Sequence, residues 1–151
     1  MDELRHSVAI AAPPEVVYDL LADVTRMPEW SPECTSCRWL GGAHDARVGA
    51  RYRGRSRNGW HRWSTIATIV AADRGSRLTW DVSYFGQPVA QWSYQLEAED
   101  PATTLSESVI DKRGRLLRTV SPFVTGSRDR RQRNDETMRT TLERIKQAVE
   151  R

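Results

Sequence analysis

The sequence predicts one α+β domain in which an antiparallel meander of strands is covered by a long C-terminal helix. Three observations predict it. Helical periodicity is confined to residues 14–30 and to the stretch after Gly114. The segment between them is a series of short strand-like runs broken by Gly, Asn-Gly and Asp-Pro turns. Those turns are too short for crossover connections, so consecutive strands must pair as neighbours.

Residues 4–11 alternate weakly and end at Pro13-Pro14, which no central strand accepts. Pro14 suits the first turn of a helix, where its missing N–H costs nothing, and Glu15 suits the positive helix N-terminus. Val16, Val17, Leu20, Leu21 and Val24 then recur at helical spacing. Thr25 is read as the cap of a second short helical turn, which Pro28 and Pro32 end around Trp30.

Strands are predicted near 34–40, 49–57, 60–72, 76–84, 88–98 and 103–112, separated at Gly41-Gly42, Asn58-Gly59, 73–76, 86–88 and Asp100-Pro101. Asn58-Gly59 is the strongest break, because a two-residue hairpin turn requires positive φ at both positions. Pro122 is read as the opening of the last helix, with a break or kink near Gly126. Val124, Arg131, Asp135, Met138, Leu142, Ile145 and Val149 follow its helical rhythm. A sheet of about seven strands leaves one face that only this helix is long enough to cover.

Composition sets the class. At 151 residues the chain fits a single domain, 1–151, and with 38% apolar residues but six Trp and four Tyr the core should be small in number and rich in rings. The net charge of +3, with acidic residues spread throughout, is not the footprint of a dedicated nucleic-acid binder. No apolar run is long enough to span a membrane, and Met-Asp-Glu-Leu-Arg lacks the features of a signal peptide, so a soluble cytoplasmic protein is expected. No nucleophile elbow, phosphate loop or dinucleotide fingerprint is present, and no cofactor or metal is expected.

The order of elements, with Ala12-Pro-Pro-Glu-Val-Val-Tyr-Asp-Leu-Leu-Ala-Asp23 and Met27-Pro-Glu-Trp30, resembles the START-like (SRPBCC) superfamily, and within it the bacterial polyketide cyclase/dehydrase-type branch. Val48-Gly49, Arg62-Trp63, Leu78-Thr-Trp80, Gln91-Trp-Ser-Tyr94 and Thr140-Thr-Leu-Glu-Arg-Ile-Lys146 carry the resemblance across nearly the whole chain. It implies a helix-grip fold, in which a curved sheet wraps the C-terminal helix around a hydrophobic cavity. It also implies an apolar ligand such as a lipid, sterol or polyketide. A minority of such proteins are cyclases or hydrolases.

Candidate site residues follow from strand phase. Leu78, Trp80, Val82 and Tyr84 share one face of their strand, as do Ala90, Trp92, Tyr94 and Leu96 of the next, with Thr79, Asp81, Gln91, Ser93 and Gln95 outward. Trp80, Tyr84, Trp92 and Tyr94 are therefore expected to divide between core and cavity lining. Tyr18, Leu21 and Trp30 are expected near the cavity wall. On the last helix, Met138 belongs to the apolar stripe, whereas Arg131, Asn134 and Asp135 fill the same sector upstream. These three are either exposed or face a wet cavity mouth, where Arg131 and Asn134 would contact a ligand carboxylate or carbonyl. Glu107, in line with Leu105 and Val109, is the candidate inward carboxylate and the one candidate catalytic acid or base, although Ser106, Ser108 and Ile110 fill the opposite phase equally well.

Arg51, Arg53, Arg55 and Arg57 alternate along one strand and mark either a solvated outer face or a docking surface for an acidic partner. Cys34 and Cys37 have the spacing of a redox or half-zinc motif, but residues three apart on a regular strand point to opposite faces, which prevents either role. His6, His44 and His61 are widely separated, none beside an acid at ligand spacing. The function expected is binding or transport of a hydrophobic small molecule. A cyclase/aromatase-like enzyme and a docking module using the arginine strand are the alternatives.

Overall fold

The computed structural model describes residues 3–151. Its seven strands are β1 (Glu3–Ile10), β2 (Cys34–Leu40), β3 (Arg51–Asn58), β4 (His61–Asp73), β5 (Arg77–Tyr84), β6 (Gln87–Glu99) and β7 (Ala102–Asp111). They form one antiparallel sheet in the order β1-β7-β6-β5-β4-β3-β2, so the predicted meander is closed by β1 joining the far edge of the last strand. The helices are α1 (Pro14–Ala22), a 3₁₀ helix at Val24–Glu29, α2 (Arg115–Thr125) and α3 (Arg130–Glu150).

Local chemistry explains the ends of these elements. α1 starts with Pro14 in its first turn and buries Val17, Tyr18 and Leu21, while Val16 faces solvent. The 3₁₀ helix is capped by Asp23 rather than by Thr25: the Asp23 carboxylate accepts from the Thr25 backbone N–H at 3.3 Å and from its hydroxyl at 2.5 Å. Pro28 lies inside this helix, and Trp30, 2% exposed, closes it by donating its N–H to the Met27 carbonyl.

The break expected near Gly126 is present and divides this segment into two helices, but the first of them begins at Arg115, not at Pro122. Pro122 sits inside α2, and Gly126 ends it in a left-handed conformation (φ 71°), returning its N–H to the Pro122 carbonyl. A Cβ at Gly126 would stand 2.6 Å from His61 Nδ1, so both the backbone angle and the close packing require glycine. α3 then restarts at Asp129, whose side chain accepts from the Gln132 N–H. The proline read as a start was an interior residue because α2 is a short helix that the strand-rich pattern before it had hidden.

The C-terminal half of α3 is what the sheet grips. Met138, Thr141, Leu142 and Ile145 are buried against it, each large apolar side chain contributing roughly 1.5–3 kcal/mol. Lys146 Nζ donates to the Ala9 carbonyl at 2.8 Å, and the Glu150 carboxylate accepts from the Ala11 N–H at 2.8 Å, which ties the helix end to the exit of β1. Among the described residues no helix is long and apolar enough to cross a membrane.

Candidate ligand-binding cavity

The grip is incomplete at the N-terminal half of α3. There the inner face of the sheet and the helices α2 and α3 surround a cavity of about 660 Å³, within the usual range for small-molecule sites of roughly 300–1,000 Å³. Its floor is aromatic: Tyr52 from β3, Trp63 from β4, Trp80 from β5, and Trp92 and Tyr94 from β6, with Trp80 and Tyr94 at a ring-centroid separation of 5.4 Å. Its roof is polar at one end and apolar at the other, running from Arg128, Arg131 and Asn134 to Met138.

Of the eight candidates for ligand contact or catalysis, seven stand in this lining: Trp80, Trp92, Tyr94, Glu107, Arg131, Asn134 and Met138. Tyr84 does not. It is the last residue of β5, paired with Gln87 beyond the point where an extra β6 residue shifts the register, and its ring packs edge-on against Phe85 at the hairpin, 4.6 Å between centroids. Tyr18, Leu21 and Trp30 are buried in the main core and stand outside this cavity lining, while their neighbours Met27 and Ser31 reach it. The polar half of α3 splits. Arg131 and Asn134 face the cavity mouth, whereas Asp135 turns towards β1 and pairs with His6 Nε2 at 2.6 Å.

Glu107 is the most unusual group in the cavity. It lies on the inner face of β7, in register between Tyr94 on β6 and His6 on β1, which settles the strand phase left open by the sequence. Its residue is 4% exposed, and its Oε1 is buried without any hydrogen-bond partner. Burial pushes its pKa up to about 8, against a smaller downward pull from the Tyr94 hydroxyl. At neutral pH the side chain is therefore mostly a carboxylic acid, able both to donate and to accept a hydrogen bond.

Ion pairs hold the mouth on two sides, and on the first of them the partners are about a hundred positions apart, so no local pattern in the sequence signals the pairing. Arg130 pairs with Glu33, both side chains nearly buried, and Arg133 Nε reaches the other Glu33 oxygen at 3.4 Å. The Arg130 guanidinium also lies 6.0 Å from the centre of the Trp63 ring. On the other side, Arg113 holds Asp111 at 2.7 Å and donates to the Ser121 hydroxyl, fixing α2 to the end of β7. Burial would raise the Asp111 carboxyl, but the hydrogen bonds from Arg113 hold it below its ordinary value.

The cysteine pair departs from expectation. A β-bulge between Cys34 and Ser36 breaks strict alternation, so both sulfurs lie in the cavity lining, 3.4 Å apart. Among the described residues no group of three His, Cys, Asp or Glu side chains is placed to hold a metal ion. Arg51, Arg53, Arg55 and Arg57 are all exposed on the outer face, and Arg38 and Arg62 stand directly opposite Arg53 and Arg57 on the adjacent strands.

A curved antiparallel sheet gripping a C-terminal helix, with an aromatic cavity between them, defines a helix-grip protein of the Bet v 1-like class. The family model for polyketide cyclase/dehydrase and lipid transport proteins matches residues 1–150, and the chain belongs to that family. Among solved structures it is similar to a polyketide-cyclase-like protein of Corynebacterium glutamicum (28% identity, TM-score 0.60, 99% of this chain and 89% of that one). It is also similar to the di-domain ARO/CYC protein BexL of the BE-7585A biosynthetic pathway (17%, TM-score 0.71, 99% of this chain and 47% of that one). The ginseng major latex-like protein 151 of Panax ginseng has the same fold (13%, TM-score 0.73, 98% and 97%). No curated protein matches the sequence.

Proposed function

We propose that this protein is a cytoplasmic binding or carrier protein for an amphipathic small molecule, a polyketide or lipid-like compound with an aromatic or aliphatic body and an acidic or carbonyl end. The observation that carries the reading is the cavity itself, aromatic at its floor, cationic at its mouth, with one neutral carboxyl set into its wall. Apolar burial supplies the affinity, at roughly 25 cal/mol per Å² removed from water. Trp80, Trp92, Tyr94 and Met138 contact the body of the ligand, Arg131 and Asn134 its polar end, and Glu107 a hydroxyl or carbonyl within the cavity.

The test uses native mass spectrometry of protein purified from its own host, with an anilinonaphthalene sulfonate as a probe of matching chemistry. A co-purified apolar molecule is expected. Met138→Trp, which fills the cavity from its roof, should weaken the probe by roughly tenfold or more, equivalent to about 1.4 kcal/mol. An empty cavity in every preparation, or unchanged probe affinity in a folded Met138→Trp variant, would overturn the carrier reading.

Glu107 favours a second reading, a cyclase/aromatase-like enzyme. Held neutral in a dry site, it would protonate a substrate carbonyl oxygen while the aromatic walls fold the chain into a reactive geometry. The six outer-face arginines favour a docking role for the same domain. Like charges opposite each other on neighbouring strands are unfavourable in isolation, and an acidic protein surface would relieve them. Arg53→Glu with Arg55→Glu should elute from heparin at lower salt while leaving probe binding intact. Unchanged elution would remove the arginine strand as a docking face.

A further inference from the structure

We propose that Cys34 and Cys37 form a redox-active dithiol in the cavity wall, which exchanges with small-molecule disulfides admitted through the mouth. The inference rests on the placement of two sulfurs and does not depend on the carrier reading. A regular strand would send the two side chains to opposite faces, whereas the bulge after Cys34 turns both to the same one. Their separation of 3.4 Å is van der Waals contact, and a small side-chain rotation closes it to the S–S bond length of about 2.05 Å.

The two thiols are not equivalent. Cys37 is buried, and Met27 Sδ lies 3.9 Å from its sulfur. Cys34 is only partly buried. The hydrogen bond with Cys37 lowers the Cys34 thiol below its ordinary value, and the same bond together with burial raises Cys37. Cys34 is therefore the attacking thiolate and Cys37 the resolving thiol. A metal role fits less well, because a structural zinc site needs four ligands and, among the described residues, no His, Asp or Glu joins this pair.

The reaction is ordinary thiol–disulfide exchange. The Cys34 thiolate attacks one sulfur of a disulfide RSSR, forming a mixed disulfide and releasing RS⁻. Cys37 then loses its proton, and its sulfur attacks Cys34 Sγ, breaking the mixed disulfide and releasing the second RS⁻. The two thiol protons end on the released thiols. Two electrons pass from the protein to RSSR, giving one intramolecular disulfide and two RSH.

The experiment incubates reduced protein with oxidised glutathione, quenches with an alkylating agent and reads the intact mass. The wild type should become two hydrogens lighter, lose both alkylatable thiols and recover them with dithiothreitol. Cys37→Ser should stop at a stable single glutathione adduct on Cys34. Cys34→Ser should form its adduct on Cys37 more slowly, by roughly tenfold or more, because Cys37 is buried where Cys34 is only partly so. A wild type that keeps both thiols free, or that accumulates adducts without closing the bridge, would overturn the proposal. Equal reaction of the two serine variants would also overturn it.

Discussion

Replacing Glu107 with Gln is expected to make the protein more stable than the wild type at alkaline pH, by about 5 kcal/mol near pH 9. The magnitude follows from a folded-state pKa of about 8 against a model value of 4.5, at about 1.4 kcal/mol per pKa unit for a fully buried group. The sign follows from which state holds the proton more tightly. Folding raises this pKa, so the folded state binds the proton better and the contribution is fully present below the unfolded value. It is lost progressively as pH rises from about 4.5 through about 8, and above that the native state must bury an uncompensated carboxylate. Gln keeps the shape and cannot ionise, so its stability profile should be flat over the same window as far as this site is concerned. Denaturant unfolding of both proteins between pH 4 and pH 9 measures the difference. Parallel profiles would show that Glu107 is not desolvated as its geometry indicates. The same variant separates the functional readings, because a carrier should lose affinity for its ligand, whereas a cyclase should lose turnover with binding intact.

Glu33→Ala is expected to destabilise the fold by about 3–5 kcal/mol, the usual cost of removing one partner from a buried ion pair. Glu33 and Arg130 side chains are only 12% and 13% exposed. The lost carboxylate would therefore strand a guanidinium whose remaining neighbours are the Asn134 side-chain oxygen and the Trp63 ring. Arg130→Met in the same background should restore part of the loss, since the unpaired charge is then gone. Hydrogen exchange should show the opening confined first to residues 126–134, where α3 begins beside the cavity mouth. Additive single-variant costs, or protection unchanged in that segment, would rule out the pair as the latch of the mouth.

These two groups differ sharply in how legible they were. Glu107 stood out in the sequence as a charge aligned with Leu105 and Val109, and period-two alternation alone nominated its face. Its phase stayed ambiguous because Ser106, Ser108 and Ile110 fit the opposite face, and pairing with β1 and β6 decided it. Glu33 carried no signal at all. It lies just before a strand, and its partner is 97 positions away, a contact that no local pattern encodes.

The departures from expectation have local causes. Cys34 and Cys37 depart from strict alternation because the extra residue of a bulge lies on their own strand and reverses the face, whereas Tyr84 misses the cavity because it ends β5, paired with Gln87 at the hairpin. The break at Gly126 agrees with expectation, and the close approach of His61 from β4 is the part that only the structure shows.

The sequence by itself determined the order of elements, the antiparallel meander, the inward aromatic rows and the gripped half of α3, because each follows from short-range periodicity and turn chemistry. The tertiary structure alone decided which rings face a cavity and which the core, that Cys34 and Cys37 share a face, and that Glu107 is buried without a partner for Oε1. The physical reason is that burial and register are set by contacts between distant segments, and a one-residue bulge is enough to change both.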